Sequence, residues 1–248
     1  MFKLALERLT PLAAEKIKPF LEEARGSYHE KIHSIQVTGT AVTEDFNIKT
    51  SDVNSIFVLK EMDLKFLEII APLGKKYSRQ RIAAPLIMTP EYIIKSVDVF
   101  PVEFLNFKLI HSAVYGDDVF ENIEIKSVDL RQQCERELKS RLIWLRQGYL
   151  SHLGDMKAMS EDFVNSISGY IPLFRAIITL LGKQPPIRQQ EVITAISQSA
   201  NINTEAFIKV LRKKQGEIKF SKEDLSTIFT DYYTAIEKLG KIVDEIKQ

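Results

Sequence analysis

Cysteine, tryptophan and histidine are all scarce in this chain: one Cys, one Trp and four His in 248 residues. A lone Cys134 excludes an internal disulfide and any zinc site built from several thiolates. The histidines His29, His33, His111 and His152 show no metal-ligand spacing, and each reads as a surface or interface residue. Net charge is nearly absent as well. With 34 Lys and Arg against 33 Asp and Glu, the formal charge of +1 gives no bulk electrostatic signal for nucleic acid. No apolar run approaches the roughly 20 residues that crossing a bilayer requires. The opening MFKLALERLT reaches charged residues too early for a secretory leader. The expectation is a soluble, cytoplasmic protein with no membrane partner. What the chain does have is 45% hydrophobic residues, enough for a real core, in a length that suits one large domain or two small ones.

The apolar pattern changes character along the chain. Leu4, Leu9, Leu12, Ile17 and Leu21 predict an amphipathic helix over about 3–25, with a break at Pro11. Strands are predicted near 33–39 and 54–61, a helix opened by Asp63 and fading by Gly74, and a third strand over 81–88. Thr89-Pro90-Glu91 combines a hydroxyl cap, proline at the first helical position and an acid in the first turn, so a short helix should follow. VEFLNFKLIH, residues 102–111, reads as a fourth strand. From Ser127 onward only helical periods remain, predicting helices over about 128–152, 160–181, 187–199 and 204–214, with a last one capped by Ser221. The fold class expected is α/β (α+β), a mixed-sheet domain over 1–120 followed by an all-α bundle over 126–248.

Residues 34–59, SIQVTGTAVTEDFNIKTSDVNSIFVL, carry the chemistry. An apolar strand runs into Gly39-Thr40; a polar connector leads to Ser51-Asp52-Val53-Asn54; a second apolar strand follows. Glycine admits close backbone approach to a triphosphate, hydroxyl and N–H groups hold phosphate oxygens, and strand-borne carboxylates hold Mg²⁺. The segment resembles the signature of the nucleotidyltransferase (polymerase-beta-like) superfamily: Gly-Ser, a spacer, then Asp-x-Asp. Gly39-Thr40 stands for Gly-Ser and Asp52-Val53-Asn54 for Asp-x-Asp. The two-part plan is similar to kanamycin-type nucleotidyltransferases, and to minimal nucleotidyltransferases that pair with HEPN-type helical proteins.

The resemblance implies a nucleoside triphosphate held by Gly39, Thr40 and Ser51, and Mg²⁺ held by Asp52, position 54 and a third acid on a later strand. Glu103 is the candidate for that acid because it falls in the expected fourth strand, with Asp98 as its alternative. Asp52 and Glu103 would then be catalytic, and an acceptor hydroxyl on a protein, RNA end or small molecule would attack the alpha-phosphate. Asn54 is the departure. An amide is neutral, so a two-metal site loses a bridging carboxylate, and transfer is expected to be attenuated or absent. A reading from another class is a non-catalytic nucleotide-sensing or antitoxin-like interaction protein. A distant third rests on Arg146 and His152, which fit the loose Arg-x(4–6)-His pattern of HEPN ribonucleases and carry an expectation of homodimerisation through the helical domain. Trp144 and Tyr149 read as packing residues, and Asp117-Asp118 as the start of a linker.

Overall fold

The computed structural model describes residues 4–152 and 155–246. Two compact units emerge: one comprises the chain up to Val97 with Phe107–Glu124, the other Asp98–Asn106 with everything from Ile125 on.

The first unit is built on four strands: β1 (Ile32–Thr38), β2 (Asn54–Leu59), β3 (Leu86–Met88) and β4 (His111–Gly116). Their order is β3-β2-β1-β4. β1 runs antiparallel to both β2 and β4, whereas β3 joins β2 in parallel. Alternation along β1 sorts its side chains. Ile35 and Val37 enter a buried core with Phe57 and Leu59 of β2, and Ser34, Gln36 and Thr38 therefore face the other way. Helices α1 (Pro11–Arg25) and α2 (Lys65–Tyr77) close that core. α1 contributes Ala13, Ile17, Phe20, Leu21 and Ala24, spaced by threes and fours on one stripe. Phe57 meets Phe20 edge-on at 6.1 Å and Phe66 at 5.5 Å. α1 begins at Pro11, where proline suits the first helical position, and it carries Pro19 in its interior. Asp63 Oδ1 accepts from the Lys65 N–H at 3.0 Å at the start of α2, and its carboxylate also accepts from Tyr28 and Lys31 at 2.6 Å each. Those three donors hold the Asp63 carboxyl well below the ordinary carboxylate range.

α3 (Pro90–Ser96) opens as its sequence requires, with Thr89 Oγ1 accepting from the Tyr92 N–H at 3.1 Å. The next element corrects the sequence reading. Residues expected as a fourth strand over 102–111 form helix α4 (Pro101–Leu109), and the strand follows as β4. The Phe104 N–H donates to the Phe100 carbonyl at 3.0 Å, so the helix starts directly at Pro101. Pro101, Phe104 and Leu105 are buried at helical spacing. Residues 98–106, counted with the first domain in the sequence reading, pack within the second unit. The strand expected over 81–88 also shortens to Leu86–Met88, after Arg81 turns the chain at a left-handed φ of 59°.

The second unit is a bundle of α5 (Ser127–Ser151), α6 (Met156–Leu180), α7 (Gln189–Ala200), α8 (Glu205–Lys214) and α9 (Lys222–Glu245). α6 packs against each of the other four. By length and composition Lys157–Leu180 could cross a membrane, but 56% of its most apolar window is buried inside the structure, as a bundle's central helix must be. An aromatic cluster fills the interior, with Phe207 stacked on Tyr232 at 3.9 Å and Tyr170 edge-on to both. The buried Arg175 guanidinium is held by the Asn106 side chain at 2.7 Å and by the carbonyls of Pro186 and Ile187. At α9 the Ser221 hydroxyl and the Asp224 carboxylate form a reciprocal capping box.

Candidate nucleotide site

β1 ends at Thr38 and the chain enters a 3-10 turn, Gly39–Val42, with Gly39 at φ 75°. That left-handed angle explains the glycine, because a Cβ there would meet nothing closer than Asn54 Nδ2 at 3.6 Å. The Gly39 N–H donates to the Ile110 carbonyl at 3.2 Å, which ties the turn to the start of β4. Thr38 is paired across the sheet with Asn54 on one side and His111 on the other. Directly opposed residues share a face. Asn54, Thr38 and His111 therefore form one row, on the face away from the α1/α2 core.

The expected site residues meet different fates. The Thr40 hydroxyl has no hydrogen bond to another described residue, while its carbonyl accepts from Thr43. Ser51 is committed locally, its Oγ accepting from the Asn47 N–H at 3.0 Å. Asp52 pairs with Arg81 Nε at 3.3 Å, and Arg81 Nη2 reaches the Thr50 carbonyl at 2.7 Å, so Asp52 secures the end of the connector. Lys16 shares that neighbourhood. Burial and then the Arg81 charge depress its ammonium, and Asp52 only partly offsets them. Asp98 lies in the turn after α3, not on a strand. Glu103 sits in the first turn of α4, where its carboxylate accepts from Gln133 Nε2 at 2.8 Å while Gln133 Oε1 accepts from the Val102 N–H. The strand direction that favoured Glu103 as a metal ligand does not exist. Asp52 and Asn54 belong to the sheet unit, Asp98 and Glu103 to the helical one.

Sequence reasoning missed His111. Its side chain is 9% exposed, its Nε2 lies 2.7 Å from Asp118 Oδ1, and its Nδ1 is buried with no hydrogen bond to another described residue. Asp118 is no linker residue. It also accepts from the N–H groups of Phe120 and Glu121, and Phe120 meets the imidazole edge-on at 5.4 Å. The available signal was the histidine at the head of a strand with an acid just past its far end.

These donors do not fit a pair of Mg²⁺ ions. Mg²⁺ wants hard oxygen ligands in near-octahedral array, and two-metal chemistry wants bridging carboxylates. The set here is a carboxylate already paired with a guanidinium, a neutral amide and an imidazole. Among the described residues no three His, Cys, Asp or Glu converge as a metal site.

The architecture matches a spectinomycin adenyltransferase from Enterococcus faecialis, solved with ATP and spectinomycin, with a TM-score of 0.56 over 94% of this chain and 98% of that one. The fold is that of a nucleotidyltransferase. Sequence identity to that protein is 16%, so the likeness is one of architecture. No protein-family model matches the sequence, and no curated protein matches it. The Gly39 turn, Asn54 and His111 stand at one end of β1, β2 and β4. The helical unit, for its part, separates Arg146 from His152. Arg146 lies over the Tyr233 ring of α9 and donates to its hydroxyl, while His152 pairs with Asp162 of α6 at 2.9 Å.

Proposed function

We propose that this protein binds a nucleoside triphosphate at the Gly39 turn without Mg²⁺ and does not transfer its nucleotidyl group, serving as a nucleotide-responsive interaction protein. One observation carries the reading: the two positions flanking Thr38 hold an amide and an imidazole. Asn54 can donate through its amide, and the His111 ring, fixed by Asp118, brings no carboxylate to the row. Those groups suit an anion. They do not suit a divalent cation, and without that cation the charge that develops on a departing pyrophosphate has no counterpart. The likeness to a fold solved with ATP supports a triphosphate as the anion.

The expected result is a rise in Tm on adding ATP, or another of the four common triphosphates, with EDTA present. A ligand that binds only the folded state contributes about 2.7 kcal/mol when it exceeds its Kd roughly a hundredfold. Thr40→Val, which removes the uncommitted hydroxyl beside Gly39, should reduce the rise and leave the unliganded stability within about 0.5 kcal/mol of wild type. No rise with any triphosphate at millimolar concentration would end the proposal.

A further inference from the structure

Within the helical unit, α5 and α6 leave a groove of about 510 Å³ between them. That volume falls within the range of small-molecule sites, roughly 300–1,000 Å³. Its floor is apolar, made by Leu145, Met159, Phe163 and Tyr170, the last three almost wholly buried. Trp144 stands in the wall with 68% of its surface exposed. Two glycines leave the space open, Gly148 on α5 and Gly169 on α6.

The polar groups of the lining decide what could fill it. Arg141 is spent on the wall itself: its guanidinium lies 4.3 Å from the Tyr170 ring centre, with Nη2 donating to the Gly169 carbonyl and facing Glu137 at 3.5 Å. Asp162 is matched by His152, and the Ser166 hydroxyl donates back to the Phe163 carbonyl at 3.0 Å. Arg141 and Asp162 are thus both engaged by groups of the bundle, which favours a neutral occupant. Asn165 is different. Its amide has no hydrogen bond to another described residue, and it offers a donor and an acceptor side by side.

We propose that this groove binds a neutral, flat heterocycle whose edge carries an adjacent donor and acceptor, as a purine or pyrimidine base does. The Trp144 face stacks on the ring, the apolar floor takes its body, and the Asn165 amide reads its edge. The proposal is independent of the nucleotide site, because every residue it uses lies on α5 or α6.

Trp144 is the sole tryptophan, so its emission reports on the groove directly. The full chain is titrated with hypoxanthine, adenine and uracil, excited at the red edge of the indole band, with benzyl alcohol as a ring that lacks the paired edge. Saturable quenching by at least one base is expected, weakened tenfold or more in Asn165→Ala. It should vanish in Gly148→Leu, whose Cβ would lie 3.9 Å from Asp162 Oδ2, an ordinary contact, and whose side chain would project into the groove. Replacing a helical glycine should also hold or raise the melting temperature, which separates a blocked groove from a damaged fold. If Gly148→Leu fails to fold, Asn165→Ala alone decides. No saturable quenching by any base, equal quenching in Asn165→Ala, or benzyl alcohol binding as well as the bases would overturn the proposal. So would burial of Trp144 by self-association with no ligand present, which would assign the face to a second copy of the chain.

Discussion

Gly116→Ala should lower the stability of the sheet unit by about 4 kcal/mol, near the upper end of single-substitution effects. Gly116 closes β4 at φ 69°, and it pairs directly with Ser34 of β1. A Cβ added there would lie 2.1 Å from the His33 carbonyl oxygen and 2.9 Å from Ser34 Cα. Both neighbours are backbone of β1, so relief requires β1 and β4 to part. The positive φ alone would add about 1–2 kcal/mol. Gly182→Ala is the matched control. It has a similar φ of 73° with nothing within 4 Å of the new Cβ, so only that conformational cost should appear. Urea melts of the two variants test the comparison. A loss below about 1 kcal/mol for Gly116→Ala would mean that β4 does not sit against β1 in this register.

The second large effect concerns metal. Asn54→Asp with His111→Asp places acids on both sides of Thr38, where two-metal chemistry would want them. Wild type should show no calorimetric Mg²⁺ binding in the millimolar range, each single variant little, and the double variant clear binding. Without metal the added acids repel one another and Asp118, so their carboxyl pKa values rise, and the unliganded variant should melt below wild type. Mg²⁺ should restore the loss. Wild-type Mg²⁺ binding as tight as that of the double variant would show that acids outside this row supply the ligands.

Much of this arrangement was legible in the residues. Apolar residues placed β1 and β2 to within two residues, although nearly all of each strand is buried on both faces, Ser34, Gln36 and Ser55 included. Thr89-Pro90-Glu91 announced α3. The same kind of signal, proline followed by an acid, stood at Pro101 and Glu103, where 102–111 was read as a strand. That error moved the fourth strand and put Glu103 on an element it does not occupy. β4 itself, HSAVYG, is too short and too rich in small residues to declare itself. His111 depends on register. Nothing local says that the head of β4 lies opposite the end of β1, and only that pairing brings the imidazole beside the Gly39 turn. Asn54, by contrast, was visible as the missing acid, and the structure adds that Asp52 beside it is already held by Arg81.

The most direct test of metal-free nucleotide binding without transfer is a pair of ATP titrations by calorimetry, one in EDTA and one in millimolar Mg²⁺, with alpha-labelled ATP followed in parallel for transfer or pyrophosphate release. Equal affinity in the two buffers and no label transfer is the predicted result. Binding that appears only with Mg²⁺, or label moved to any acceptor, would contradict it.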